Sequence, residues 1–253
     1  MDLGNIPAPT FTAVDGITQG TAALVYLVIG IGAWVRRPAD VRARVFLAFS
    51  LSNLIVFGIP TYWWSHGLTD PTKLPPVATV VIMAALGVGA LLLFHFTQVF
   101  PRRRPWIKQS GVQMEIAYGL VPIAIAALAW YAPPGLDKIP TGYLLGFIVF
   151  GFPLLVLLGI VLPVTAIVSL LRSHREIQET PLVYLKSPLE MILLGQIAGG
   201  TLAILFAPVL AVLAPNTIMQ STLTIIIWAL GLMTPVAYAL AVFKFNVLAI
   251  DPD

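Results

Sequence analysis

Seven long apolar runs dominate this chain, and short connections rich in Arg, Lys, Pro and Gly separate them. A helix that crosses a hydrocarbon core of roughly 30 Å needs about 20 mostly apolar residues, and each run is long enough. The runs cover residues 17–35, 45–64, 77–100, 112–131, 141–171, 187–213 and 219–245. The sequence therefore predicts an all-α integral membrane protein, folded as a seven-transmembrane helix bundle.

The composition of the 253 residues supports a membrane protein. Hydrophobic residues make up 58% and charged residues 10%, whereas a soluble domain is usually about 45 to 50% apolar and about 25% charged. No connection is long enough for a second domain, so residues 1–253 are expected to form one membrane domain. The absence of cysteine excludes disulfides and thiolate metal sites. The net charge of +3 comes with no basic run typical of nucleic-acid binding.

The basic residues predict the orientation of the bundle, because Lys and Arg near span ends stay on the cytoplasmic side. Two of them, Lys73 and Lys138, lie in the connections of one side. The other twelve follow the first, third, fifth and seventh runs: Arg36, Arg37, Arg42, Arg44, Arg102, Arg103, Arg104, Lys108, Arg172, Arg175, Lys186 and Lys244. We therefore expect an extracytoplasmic tail at 1–16 and a cytoplasmic tail at 246–253.

Few ionisable side chains lie inside the runs, although catalysis within a membrane usually needs them. Glu115 and Glu190 each lie about one helical turn from a cytoplasmic span end. Carboxylates near a helix N-terminus favour the helix dipole, and the alternative is a paired acidic site that faces the cytoplasm. No enzyme motif, catalytic residue or metal site is predicted, and the sequence requires no cofactor.

His95 is the histidine that lies clearly inside a run, about 9 Å below the predicted inner boundary at 1.5 Å per residue. His66 falls at an outer span end and His174 in a predicted inner loop, so neither supplies a second haem ligand at that depth. Two interpretations of His95 stay open. It packs as a polar residue near Gln98, or it binds a cofactor or ligand such as a quinone.

Prolines and glycines are the remaining features of the runs. Prolines such as Pro235 remove a backbone hydrogen bond and shape or hinge a helix. Two glycine pairs, Gly142 with Gly146 and Gly195 with Gly199, have the spacing that permits close helix packing. We expect these pairs to pack within one molecule.

Two stretches carry a family resemblance. The end of the third run with its loop reads LLLFHFTQVFPRRRPW (91–106), and the end of the seventh reads TPVAYALAVFKFNVLAID (234–251). Both resemble the N-terminal seven-transmembrane sensory region of bacterial histidine kinases and related signalling proteins. In that family a His-Phe pair precedes Phe-Pro and basic residues. Its last helix runs through Pro and Ala-Tyr-Ala to a basic residue and Ile-Asp, matched here by Pro235, Tyr238, Lys244, Ile250 and Asp251.

The resemblance implies a sensory input module in the bacterial cytoplasmic membrane that passes a signal through its last helix to a cytoplasmic partner. Pro235, Tyr238 and Lys244 are the residues expected to transmit that signal. The family continues into a kinase or similar output domain, whereas the sequence here stops at Asp253. Either it is a piece of a longer chain, or it is a free-standing relative whose expected partner is a separate, kinase-like protein. Any ligand is expected to enter from the bilayer or a shallow outer cavity.

The alternative is a non-catalytic accessory subunit of a larger membrane assembly, such as a respiratory or photosynthetic complex. Its partners are then other membrane subunits. Lipid, quinone or pigment would fill the grooves between its helices.

Overall fold

The computed structural model describes residues 13–69, 73–100, 111–130, 141–178, 186–197, 199 and 217–244. This part of the chain is helical throughout its secondary structure and contains no β-strand. The helices are α1 (Ala13–Arg36), α2 (Val41–Ser65), α3 (Pro76–Val99), α4 (Gly111–Trp130), α5 (Thr141–Gly146), α6 (Phe152–Val156), α7 (Leu162–Gln178), α8 (Lys186–Gly195) and α9 (Thr217–Ala239). The prediction of an all-α fold is confirmed for these residues.

Within the described ranges, α1, α2 and α3 are long and apolar enough to cross a membrane. They are 24, 25 and 24 residues long, which is about 36 Å of helix at 1.5 Å per residue. An α-helix suits an apolar surrounding because it satisfies its backbone hydrogen-bonding groups internally. The first three predicted runs are therefore confirmed as helices of spanning length.

Both ends of α2 show how the sequence sets helix boundaries. Asp40 caps the N-terminus, since its Oδ1 accepts a hydrogen bond of 2.8 Å from the backbone N–H of Arg42. The helix ends before Gly67, whose φ of +87° favours glycine. The second run was predicted to begin at residue 45, but the Asp40 cap starts the helix at Val41. The described helix α1 begins at Ala13, inside the predicted tail 1–16.

The fifth run is a helical stretch from 141 to 178 with two wider π-helical turns, Phe147–Gly151 and Leu157–Val161. Each turn ends two residues before a proline, Pro153 or Pro163. A proline ring clashes with the carbonyl four residues earlier, and that carbonyl lies inside the π turn in both cases. Local π widening accommodates proline in apolar helices, so these prolines widen the helix without ending it.

Helix contacts close a ring that holds the core. Each of α1, α2, α3, α7, α8 and α9 packs against the next, and α9 returns to α1, while α4 packs against α3. Aromatic rings from α1, α2, α3 and α9 meet in the main buried cluster. The last helix is thereby part of the wall of the ring as well as the end of the described chain.

The structure also bears on the predictions for His174 and for the glycine pairs. His174 was expected in a loop, but α7 extends to Gln178 and includes it. Gly195 and Gly199 do pack closely, since a Cβ at Gly195 would lie 2.6 Å from that of Ala237 on α9. No described atom lies within 4 Å of a Cβ at Gly142 or Gly146, so close packing of that pair stays a prediction. The parts of the sixth and seventh runs at 198, 200–216 and 245, and the tail 246–253, lie outside the described residues.

Candidate functional site

Tyr238 of α9 lies at the centre of the aromatic core and is 1% exposed. Its ring centroid is 5.0 Å from that of Phe46 on α2. It is 4.9 Å from that of Phe96 on α3, in an edge-to-face arrangement. Its hydroxyl accepts a hydrogen bond of 2.7 Å from Nε2 of Gln196, just beyond α8. One side chain of the last helix therefore contacts three other parts of the ring.

Pro235 is also buried, one helical turn before Tyr238. Next to it, the Thr234 hydroxyl donates a hydrogen bond of 2.9 Å to the carbonyl oxygen of Gly195. The close approach at Gly195 and this hydrogen bond join α8 to α9 where Pro235 leaves the backbone one hydrogen bond short. The pair of helices is held together at the level of the proline.

A third π-helical turn, Leu240–Lys244, follows α9 directly. Phe243 in this turn packs against α1, where Gly32 leaves room for its ring. The guanidinium of Arg36 lies 4.7 Å from the centroid of that ring, within cation–π distance. Arg36 Nη1 also donates to the carbonyl oxygen of Phe243 at 3.4 Å. Lys244, the last residue of the turn, is exposed.

His95 of α3 is half-buried and lies beside α4. Its Nδ1 and the Tyr118 hydroxyl are 2.7 Å apart and share a hydrogen bond. The hydroxyl either donates to an unprotonated Nδ1 or accepts from a protonated one, depending on the tautomer. This bond joins two neighbouring helices, which is what a polar packing role requires. Binding of a cofactor by His95 stays a prediction.

Gln98 is buried one turn after His95 but faces a different helix. Its Oε1 accepts from the hydroxyl of Ser169 on α7, and its Nε2 donates to the hydroxyl of Thr97, both at 3.4 Å. These contacts satisfy polar groups that would otherwise be costly inside an apolar core. Through hydrogen bonds, His95 therefore joins α3 to α4, and Gln98 joins α3 to α7.

Glu115 and Glu190 are each the fifth residue of their helices, α4 and α8. The side chain of Glu115 lies outside what the structure describes. Glu190 is half exposed, and its Oε1 lies 3.0 Å from Nε2 of His174 on α7. The described partner of Glu190 is thus a histidine, and an acidic pair with Glu115 stays a prediction. Among the described residues, no three His, Asp or Glu side chains come close enough to hold a metal ion.

Sequence reasoning missed two partners in this region. Gln196, which holds the Tyr238 hydroxyl, was detectable as an amide inside an apolar run. The contact of Arg36 with Phe243 joins residues 207 positions apart, and no local pattern indicates it.

The sequence matches no protein-family model and no curated protein. The resemblance to the sensory region of histidine kinases therefore rests on the two stretches quoted above and stays a prediction.

Proposed function

We propose that this chain is the input module of a bacterial signalling system that sends its signal through α9 to a cytoplasmic protein partner. It is a seven-helix bundle in the cytoplasmic membrane, with its N-terminus outside and its C-terminus inside. The contact of Tyr238 with Phe46, Phe96 and Gln196 is the observation that supports this proposal most. A shift of any of those partners changes the packing of the last helix.

The end of α9 has the features of an element with two arrangements. The hydrogen bond of a π turn spans one more residue than that of an α turn, and such turns are frequent at functional sites. Conversion of Leu240–Lys244 to α-helix would rotate the chain after Lys244 by about 100°, the angle per residue of a helix with 3.6 residues per turn. A partner bound after Lys244 would receive that rotation.

The link between Arg36 and Phe243 connects this rotation to α1. A rotated turn takes Phe243 away from the space at Gly32 and from the guanidinium of Arg36. Partly exposed cation–π contacts are worth about 0.5 to 1 kcal/mol. A contact of that size biases two arrangements of similar energy without locking either one.

A reporter test uses the full chain with a histidine-kinase output domain fused after Asp253, read by phosphorylation of its response regulator. Pro235→Ala restores a backbone donor, and Tyr238→Phe removes the hydroxyl that Gln196 holds. We expect both to change the basal output while the protein still inserts into the membrane. Val236→Ala, on the exposed side of the same turn, is the matched control and should leave output unchanged. If Pro235→Ala and Tyr238→Phe give the same output as Val236→Ala and the unsubstituted protein, signal transmission through α9 is contradicted.

The proposed orientation has its own test, because the chain contains no cysteine. Single cysteines at Leu68, between α2 and α3, and at Lys244 are treated with a membrane-impermeant thiol reagent on intact spheroplasts. We expect Leu68→Cys to be labelled and Lys244→Cys to be labelled only after lysis. The reverse pattern would overturn the orientation.

The accessory-subunit alternative would use an exposed apolar surface near the start of the fifth run. The consecutive residues Ile148, Val149 and Phe150 are 55, 56 and 72% exposed. They lie in the π turn Phe147–Gly151, where successive side chains project in different directions around the helix, so this stretch presents apolar side chains on several sides. Neighbouring subunits would cover such a surface, and lipid would cover it equally well. Co-purification separates the two functions, as described at the end of the Discussion.

A further inference from the structure

The turn between α1 and α2 carries more positive than negative charge. Residues 36–44 read RRPADVRAR, with four arginines and one aspartate. The carboxylate of Asp40 is occupied by the guanidinium of Arg42, which is 0% exposed and 2.7 Å away. The other three arginines are exposed, and the segment contains no second carboxylate for them: Arg36, Arg37 and Arg44.

The folding of this turn brings two of the exposed arginines together. The backbone N–H of Arg37 donates to the carbonyl oxygen of Trp34 at 3.1 Å. Nη2 of Arg44 donates to the carbonyl oxygen of Ala39 at 3.1 Å, so its guanidinium folds back over the turn. The Cα atoms of Arg37 and Ala39 are at most about 7.6 Å apart, and an arginine side chain is long. Arg36 faces the last π turn instead. We call Arg37 and Arg44 the arginine pair, since both can reach one phosphate.

The arginine pair lies at the depth of lipid head groups. Trp34, three residues before Arg37, is 42% exposed, and Val35 beside it is 64% exposed. An exposed tryptophan near the end of an apolar helix is typical of the interface between membrane and water. The apolar sequence of α1 stops at Val35, and the arginines follow directly. Their charges therefore lie where the hydrocarbon ends, at the level of phospholipid phosphates.

An exposed apolar stripe leads from Arg44 along α2 into the membrane. Its members Leu51 and Ile55 are 42 and 38% exposed. At about 100° per residue, both point within about 20° of the direction of Arg44. From Arg44 to Ile55 the helix rises about 16.5 Å, close to half of a hydrocarbon core of roughly 30 Å. One face of α2 therefore offers a cation at the interface and apolar contact through one leaflet.

The charge of the head group decides which lipid fits this face. Apolar contact alone gives no preference, because lipid tails are alike. A zwitterionic head group carries its own cation, whereas the phosphate of an anionic head group is free to form charge-assisted hydrogen bonds with arginine. Each basic residue near a surface of anionic lipid raises the affinity about fivefold. The stripe below Arg44 favours a lipid over an acidic protein segment, which would leave Leu51 and Ile55 uncovered.

We propose that the arginine pair binds the phosphate of an anionic phospholipid of the phosphatidylglycerol type, with one acyl chain along Leu51 and Ile55. Arg37 and Arg44 hold the head group, and the lipid fixes the turn between α1 and α2 at the membrane surface. This site goes beyond the signalling function proposed above and does not depend on it.

The test is native mass spectrometry of the full chain in detergent. The protein is titrated separately with phosphatidylglycerol and with phosphatidylcholine of the same acyl chains. We expect the first phosphatidylglycerol to bind at least about tenfold more tightly, because two arginines contribute about fivefold each. Equal affinities would show contact with lipid of any kind and overturn the site.

Two competitors identify the occupant. Glycerol phosphate, a soluble form of the head group, should leave the bound lipid in place at the same concentration. Displacement by glycerol phosphate would make this a site for soluble phosphate and overturn the assignment to a lipid. Displacement by a polyglutamate peptide of equal concentration would assign the arginine pair to an acidic protein segment and overturn it as well.

Variants of the arginine pair make the test specific. Arg37→Gln with Arg44→Gln should lower the affinity for phosphatidylglycerol at least about tenfold and leave that for phosphatidylcholine unchanged. Arg37→Lys with Arg44→Lys keeps both charges and should retain most of the preference, which separates lost charge from a disturbed fold.

The matched control removes two exposed arginines from α7, through Arg172→Gln with Arg175→Gln. It should leave the affinity for the first phosphatidylglycerol unchanged. Equal losses from the two glutamine double variants would mean that binding follows net charge alone, which overturns the site. Loss of lipid binding with unchanged reporter output would leave the signalling proposal intact, so the two proposals fail separately.

Discussion

Arg42 is 0% exposed although it carries a full charge. Its guanidinium is held by the carboxylate of Asp40, with Nη2 2.7 Å from Oδ2 and Nε 3.1 Å from both carboxylate oxygens. Oδ1 also caps α2 through the backbone N–H of Arg42. One carboxylate therefore neutralises a buried cation and starts a helix. Asp40→Ala removes both functions in a single change.

The size of the effect follows from these two functions. Breaking a buried ion pair by removing one partner costs about 3 to 5 kcal/mol, because the remaining charge stays buried. Loss of an N-cap alone costs about 0.5 to 2 kcal/mol. The two losses share one side chain, and Arg42 also has contacts besides Asp40. We therefore expect Asp40→Ala to lower the free energy of unfolding by about 3 kcal/mol, the lower end of the ion-pair range.

The assay is unfolding of the purified protein by SDS in mixed micelles, followed by circular dichroism. Arg44→Ala is the matched control, since Arg44 is exposed and bonds to the carbonyl oxygen of Ala39. It should change the free energy of unfolding by less than about 0.5 kcal/mol, as surface substitutions usually do. The double variant Asp40→Ala with Arg42→Met should be more stable than Asp40→Ala alone, because the uncompensated charge is gone. The reasoning would be refuted if Asp40→Ala lowered the free energy of unfolding by no more than Arg44→Ala does.

Two further predictions use the same unfolding assay. Gly199→Ala should cost about 1 to 3 kcal/mol by overpacking, because its Cβ would lie 2.7 Å from the carbonyl oxygen of Leu230. Gly231→Ala, which meets no described atom within 4 Å, should be tolerated, and equal losses would contradict close packing of Gly199 on α9. Tyr118→Phe should cost about 1 kcal/mol, the net worth of one hydrogen bond, and an unchanged stability would mean that the bond to His95 contributes nothing.

Much of the fold could be predicted from apolar run length alone. The first three runs coincide with α1, α2 and α3 to within about one turn, because an apolar segment of about 20 residues has few alternatives to a helix in lipid. The misplaced start of α2 arose from capping. Asp40 was passed over as an N-cap, so Arg42 was counted as a loop cation although it lies within α2.

The contacts of the candidate site were less predictable. Tyr238 was identified through its motif, but its partners Phe46, Phe96 and Gln196 come from separate helices. An apolar run does not show which face of its helix contacts another helix, because lipid tails and neighbouring helices are equally apolar surroundings for its side chains.

The most direct test of the signalling proposal is gentle extraction from native membranes, followed by size separation, absorbance spectra and mass identification of whatever co-migrates with the chain. The proposal predicts a colourless protein that migrates alone or with a kinase-like signalling partner. Co-migration at fixed stoichiometry with coloured, cofactor-bearing subunits would contradict it and make the chain an accessory subunit of a larger membrane complex.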